Sequence, residues 1–299
     1  MIKIIAPAVT VFDRNEKPDY EGNKKVIDFL IGRGIDGILV LGSTGEFPGL
    51  SVEERMDFFR FYASYAGQRV ELLAGTGCVG YQDTLRLSNA VYEMGYTPMV
   101  ISPYYYALDQ EKLFRYYDRL AKEVKGGLYL YNYPARTGHS IAPETVKRLV
   151  ESNPNILGMK DSVDSCHHTN MVCRAVEGHA FTTYSGYDDQ FLNNIANNGG
   201  GGCIGGLAVI VPELWSDLVR AVNSRDFTRT FTLFHLLQRL MPVYEMDTNC
   251  SLLLKMLLVH RGVEIDSRAV YPFAQIEMET WQKAKKLLDD VLDQYQNIR

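Results

Sequence analysis

The feature that most limits how this chain can fold is a regular alternation, in which apolar runs and amphipathic stretches take turns at a spacing of about thirty residues. The apolar runs cover residues 4–11, 37–41, 70–74, 98–102, 127–131, 156–160, 181–185 and 202–204. Helical stretches lie between them, near 21–32, 51–66, 82–94, 110–124, 142–151, 165–176, 188–197 and 213–222. A strand that is followed each time by a helix reads as a parallel βα unit, which places the chain in the α/β class. Eight such units are the count of a closed parallel (β/α)8 barrel, the TIM barrel; an open doubly wound sheet uses the same units. Helix starts are marked by the capping box Ser51-Val52-Glu53-Glu54 and by Pro143 in a first turn. Past residue 222 the strand signal stops, and residues 227–244, 249–261 and 277–295 read as three more helices. The expected organisation is a catalytic barrel over 1–222 and a C-terminal three-helix extension over 223–299.

Composition removes several classes of function. Lys and Arg number 31 against 36 Asp and Glu, with no basic block, so nucleic acid is not an expected partner. No apolar stretch approaches the ~20 residues of a membrane helix, and the N-terminal residues lack a signal-peptide pattern, so no membrane partner is expected. The five cysteines are odd in number, scattered and never in a C-x-x-C pair, which points to a reducing, cytoplasmic setting without a zinc site. The six histidines show no metal spacing, and the adjacent His167 and His168 cannot share a helix face. A formal G-x-G-x-x-G at Gly200, Gly202 and Gly205 comes after the wrong unit and lacks the acidic residue about 20 positions on that a ribose needs. Those glycines read instead as room for a substrate at the barrel rim.

The unusual polar residues gather at the C-terminal ends of the expected strands, where barrels of this kind keep their active sites. Residues 156–160 deliver a lysine, Lys160, at the end of a buried strand; it either snorkels to water or has a partner or a task. Gly42-Ser43-Thr44-Gly45-Glu46 is either a glycine turn or a loop whose amides and hydroxyls meet an anion. Gly75-Thr76-Gly77 reads as packing. Tyr104, Tyr105 and Tyr106 follow strand four, and Tyr131 and Tyr133 end strand five; a phenol beside a lysine amine can move protons, although tyrosines are more often amphipathic core. Arg136 either clamps a carboxylate or is a solvated loop charge. Asp188 and Asp189 either bind sugar hydroxyls or cap the following helix.

Together Gly42-Ser43-Thr44-Gly45-Glu46, Tyr131-Asn132-Tyr133-Pro134-Ala135-Arg136-Thr137-Gly138 and Gly158-Met159-Lys160-Asp161 resemble the three signatures of the dihydrodipicolinate synthase / N-acetylneuraminate lyase family of class I aldolases, over essentially the whole chain. The resemblance implies a barrel enzyme in which Lys160 forms a Schiff base with pyruvate or a pyruvoyl substrate, without metal or organic cofactor. It implies Tyr131 as proton shuttle, Ser43 and Tyr105 as its relay, with Tyr105 supplied by a neighbouring subunit of a homotetramer built as a dimer of dimers. The amides of Ser43 and Thr44 would hold the pyruvate carboxylate. For the aldehyde partner the signals divide. Arg136 resembles the arginine by which dihydrodipicolinate synthases bind aspartate semialdehyde. Ser43 replaces their usual threonine; Gly186, Asp188 and Asp189 look like the sugar-binding segment of sialate lyases and 2-keto-3-deoxygluconate-type aldolases, and Ser162 and the Met246-Asp247-Thr248 segment look like the 2-keto-3-deoxy sugar acid group, with Ile204 also at the substrate. Val52 and Val79 stand where lysine-inhibited synthases carry polar residues, and Gly206 stands where a sialate lyase has serine. The expected activity is therefore reversible aldol cleavage of a 2-keto-3-deoxy sugar acid to pyruvate and an aldehyde, with dihydrodipicolinate synthase or N-acetylneuraminate lyase as alternatives.

Overall fold

A computed structural model describes residues 1–273 and 275–298. The strands are β1 (Lys3–Pro7), β2 (Gly37–Val40), β3 (Glu71–Gly75), β4 (Thr97–Ile101), β5 (Leu128–Asn132), β6 (Ile156–Asp161), β7 (Thr182–Ser185) and β8 (Gly200–Cys203). They close in chain order into one barrel, with parallel pairing shown for β1–β2 and along β3 to β8. The helices are α1 (Tyr20–Ile31), α2 (Val52–Ala66), α3 (Tyr81–Glu93), α4 (Gln110–Glu123), α5 (Pro134–Thr137), α6 (Pro143–Ser152) and α7 (Cys166–Ala175). They continue with α8 (Phe191–Ile195), α9 (Leu207–Ile210), α10 (Pro212–Asn223), α11 (Phe227–Gln238), α12 (Cys250–His260) and α13 (Met278–Ile298). The α/β barrel and the C-terminal helices expected from the alternation are both present.

By internal contacts the chain forms two compact units. The first holds Val52–Ala63 and Leu72–Ile204, hence α2 as far as Ala63 and everything from β3 to β8. Its core is built from one face of each element. Leu113, Tyr117, Leu120 and Ala121 recur at helical spacing on α4 and are buried with Leu128 and Leu130 of β5, Val146 and Leu149 of α6, and Ile156 and Met159 of β6. Tyr117 hides its ring there and satisfies its hydroxyl by donating to the Val100 carbonyl at 2.9 Å. The glycine run that enters β8 serves packing here. A side chain at Gly200 would lie 2.0 Å from the Asn194 carbonyl oxygen, and one at Gly201 would meet Thr182 and Tyr184, so these two glycines let the backbone of β8 approach α8 and β7.

The second unit holds Lys3–Ser51, Ser64–Glu71 and the chain from Gly205 on. β1 is shorter than its apolar run. The side chain of Asn23 accepts from the Val11 amide at 3.1 Å and donates to the Val11 carbonyl at 2.9 Å, so that backbone is satisfied by a side chain and needs no strand partner. The stretch 227–244, expected as one helix, breaks after Gln238 and continues as a separate 3-10 turn, Met241–Glu245. Pro242 explains the break: it has no amide to donate and disfavours helical backbone in the residue before it. Among the described residues no helix is long and apolar enough to cross a membrane.

Candidate active site

Lys160 and Tyr131 are held by neighbouring strands. Tyr131 of β5 stands in register with Lys160 of β6, and Lys160 in register with Tyr184 of β7. Residues paired side by side in a sheet point to the same face, and the next residue along each strand points to the opposite one. One face therefore carries Tyr131, Lys160 and Tyr184, and the other carries Asn132, Asp161 and Ser185. Lys160 is only 4% exposed, and its ammonium lies 4.6 Å from the centre of the Tyr131 ring. Tyr131 stacks on Tyr133, ring centres 5.9 Å apart, and the Arg136 guanidinium lies 5.9 Å from the Tyr133 ring centre. Burial raises the Tyr133 phenol, helped by Tyr131 and opposed by Arg136 and Lys160. Burial likewise pushes the Tyr187 phenol up to about 12, with Tyr133 and Asp164 adding to it. This is a buried amine among protonated phenols, the setting in which a lysine can serve as a nucleophile and a tyrosine as a proton carrier.

The opposite face supplies a polar anchor that the sequence did not announce. Asp161 is fully buried; its carboxylate accepts from Asn132 Nδ2 at 2.9 Å, from Thr169 Oγ1 at 2.8 Å and from His168 Nδ1 at 2.9 Å. The other ring nitrogen of His168 lies 3.1 Å from the Ile141 carbonyl. Both nitrogens thus face an oxygen acceptor, which favours the imidazolium, while the Ser140 hydroxyl, 3.5 Å from Nε2, is the neighbour able to donate to a neutral ring. Burial disfavours that cation, but the hydrogen bond and charge of Asp161 outweigh it, with help from the Ile141 carbonyl, and the imidazole is raised above its ordinary value. The anchor ties the end of β6, one residue after Lys160, to the first turn of α7. The only sequence signal for it was the polar Asn132 and Asp161 one step beyond Tyr131 and Lys160, because His168 and Thr169 come from a helix.

A stability test follows from the sign of that shift. A folded-state value above the unfolded one, about 6.5, stabilises fully below the unfolded value and is lost as pH rises through the folded value. The loss of thermal stability in His168→Gln is therefore expected to be larger near about pH 6 than near about pH 9. A difference that stays constant across that range would show that His168 is not held as the cation.

His139 plays the complementary role. Its Nδ1 accepts from the Leu108 amide at 3.2 Å, so Nε2 carries the proton toward Ser102 Oγ at 2.8 Å, and burial lowers its basicity. The neutral ring pins the loop after β4 that carries the three tyrosines. Within that loop Tyr104 is half-buried, whereas Tyr105 is 77% exposed and packs edge-on against Tyr106.

The other expected residues fall as follows. Ser162, buried, donates its amide to the Asn132 carbonyl at 2.8 Å, and its hydroxyl occupies the space a side chain at Gly186 would need, 1.9 Å away. Gly186 in turn donates its amide to the Asp161 carbonyl at 2.8 Å. Asp188 and Asp189 part company: Asp188 is fully buried, while Asp189 is exposed with its carboxyl raised by partial desolvation and by Asp164. Neither occupies the capping position of α8, which is Gln190 without a side-chain cap. Ile204 is buried and donates its amide to the Ser185 carbonyl at 2.9 Å. In the second unit Ser43 and Thr44, half-buried, open a 3-10 turn directly after β2, with Gly45 donating to the Gly42 carbonyl and Glu46 to the Ser43 carbonyl. The Gly75-Thr76-Gly77 segment is structural, as expected: the carbonyls of Gly75 and Gly77 accept from the buried Arg55, and Thr76 bonds Ser88. Among the described residues no group of three or more His, Cys, Asp or Glu is placed to hold a metal ion.

Comparison with known proteins matches the chain to a family. The model of the dihydrodipicolinate synthetase family matches residues 1–291. The chain is similar to a putative 2-dehydro-3-deoxy-D-gluconate aldolase, YagE, of Escherichia coli (strain K12), at 33% identity over 291 residues and 96% of each chain. It is similar at 32% identity over 288 residues, 95% of each chain, to a probable 2-dehydro-3-deoxy-D-pentonate aldolase, YjhH, of the same organism. The crystal structure of YagE in complex with pyruvate aligns with a TM-score of 0.93 at 32% identity, covering 98% of this chain and 99% of that one. The chain belongs to the dihydrodipicolinate synthetase family and is a pyruvate-dependent class I lyase of the aldolase type.

Proposed function

We propose that this protein catalyses the reversible aldol cleavage of a 2-keto-3-deoxy sugar acid to pyruvate and an aldehyde, through a Schiff base on Lys160. The observation that carries the reading is the buried Lys160 ammonium 4.6 Å from the ring centre of Tyr131 on the neighbouring strand. In cleavage the Lys160 amine, once deprotonated, adds to the C2 ketone; the Tyr131 phenol gives its proton to the departing hydroxyl, water leaves, and the iminium forms with Tyr131 left as phenolate. Tyr131 as phenolate takes the C4 hydroxyl proton, the C3–C4 bond breaks to release the aldehyde, and its electrons pass into the iminium to form the enamine of pyruvate. Protonation at C3 and hydrolysis free pyruvate and restore Lys160. The iminium is the electron sink, and its stabilisation is needed only as the bond breaks. Ser43 and Tyr105 extend the proton relay of Tyr131. The Ser43 and Thr44 amides receive the substrate carboxylate.

The choice of a sugar acid rests on the two aldolase relatives and on Ser162, Gly186, Asp188, Asp189 and Ile204, which follow the last three strands, where Ser162 packs on Gly186 and Ile204 bonds the Ser185 carbonyl. Asp189 is the carboxylate there with access to solvent and hence to a sugar hydroxyl; Arg136, exposed beside Tyr133, meets the far end of the substrate. The exposure of Tyr105 fits its delivery to a neighbouring subunit of a homotetramer in the cytoplasm.

Borohydride reduction with pyruvate, followed by peptide mass mapping, tests the reading. The reduced adduct is expected on Lys160 and on no other lysine; an unmodified Lys160 would sink it. Parallel assays with 2-keto-3-deoxygluconate, with N-acetylneuraminate, and with pyruvate plus aspartate semialdehyde then decide the partner. Fastest turnover of the keto-deoxy acid is the expected result, and a preference for aspartate semialdehyde would overturn the substrate assignment while leaving Lys160 in its role.

A further inference from the structure

The turn that opens with Ser43 and Thr44 is bracketed by two strained residues. Leu41 before it and Glu46 after it, neither of them glycine, adopt positive φ of 53° and 56°. Such backbone persists only where its surroundings over-determine it. At Glu46 the surroundings are visible. Its side chain turns into the protein and is 3% exposed; one carboxylate oxygen takes the Lys255 ammonium at 2.6 Å and the other the Val270 amide at 3.3 Å. Lys255, on α12, has no exposed surface and also donates to the carbonyls of Thr10 at 3.1 Å and Arg268 at 2.6 Å. An ammonium has three donors, and here each has an acceptor. The Phe12 ring closes over it, its centre 4.9 Å away. Thr10 completes the knot, because its hydroxyl donates to the Gly45 carbonyl at 2.7 Å.

A wholly buried ion pair is a poor way to gain stability. Two apolar side chains of similar volume would often do as well, because the desolvation of both charges offsets much of their attraction. An apolar pair would fill the space between α12 and the turn, but it would leave the Thr10 and Arg268 carbonyls, the Val270 amide and the left-handed backbone at position 46 without directional partners. The direction of these bonds, rather than their net energy, is what this arrangement supplies.

We propose that Lys255 is a positioning residue for substrate binding: through Glu46 and Thr10, the C-terminal helix α12 sets the geometry of the turn whose Ser43 and Thr44 amides receive the pyruvate carboxylate. The inference rests on the function proposed above and adds to it a role for the helical extension. Lys255 touches no reacting atom, so its effect belongs in pyruvate affinity and not in the capacity to form the adduct.

The test is the pyruvate dependence of borohydride trapping on Lys160 in wild type, Lys255→Met, Lys255→Met with Glu46→Gln, and Thr10→Val, each with its thermal midpoint. Lys255→Met alone leaves a buried carboxylate without its cation and can fail to fold; the double variant removes both charges and is the informative protein. Its half-saturating pyruvate concentration is expected to rise by about tenfold or more, the loss of one charge-assisted hydrogen bond, while trapping at saturation stays within about twofold. Thr10→Val, which keeps the ion pair, is expected to raise half-saturation by several fold and decides the matter if the double variant does not fold. Unchanged half-saturation in the folded variants, or a fall in saturating yield alone, overturns the proposal. A wild type that traps no pyruvate overturns the reading of Lys160 and this inference with it, whereas a wild type that traps beside unaffected variants overturns this inference alone.

Discussion

Lys160→Ala is expected to fold, to trap no pyruvate under borohydride and to lose at least about 10⁵-fold in kcat for aldol cleavage. The size of the loss follows from the chemistry. Without an amine at this position no iminium forms, and cleavage would have to put its electrons on a neutral ketone. The prediction that the variant folds follows from burial. Lys160 is 4% exposed, so its ammonium is held largely away from water, and its removal relieves that desolvation while the Asp161 anchor on the other face of β6 remains whole. Thermal denaturation beside the kinetic assay separates the two effects. A folded variant with a few per cent of wild-type turnover would show that another group carries the substrate, and the proposed mechanism would fall with it.

The second large effect is expected at Tyr131. Tyr131→Phe keeps the ring that packs on Tyr133 and lies 4.6 Å from the Lys160 ammonium, and it removes only the hydroxyl. Stability is therefore expected to change little, while kcat falls by about 10²–10⁴-fold, the usual contribution of a positioned proton carrier. Borohydride trapping of pyruvate on Lys160 is expected to survive, more slowly, because adduct formation needs the amine and the aldol step needs the phenol. Turnover close to wild type would move the proton transfer to another hydroxyl, Ser43 or Tyr133 being the ones to replace next. Complete loss of trapping would instead show that iminium formation itself requires the Tyr131 hydroxyl.

How much of this was legible beforehand differs between the fold and the site. All eight strands lie within or against their apolar runs, because a strand buried on both faces must be apolar along its length and that pattern needs no tertiary information. The run at 227–244 misled because apolar spacing continues through Met241 and Val243, although Pro242 already forbade the helix to follow it. At the site, the lysine ending β6 and the phenol ending β5 were evident as polar groups where the pattern called for apolar ones. Asp188 and Asp189 looked equivalent as neighbours in sequence, and the fold made one buried and the other exposed.

The sequence by itself determined the βα alternation, the strand ends where Lys160, Tyr131 and the Gly42-to-Glu46 turn fall, and, through its motifs, the family. Those features are local: each is written in a run of a few residues whose periodicity or chemistry stands out without reference to the rest of the chain. Only the tertiary structure decided what holds them. His168 reaches Asp161 from the first turn of α7, and Lys255 reaches Glu46 across 209 positions of sequence. A buried charge finds its partner by distance in space, and nothing in the spacing of residues along the chain records which distant acceptors the fold will bring within hydrogen-bonding reach of it.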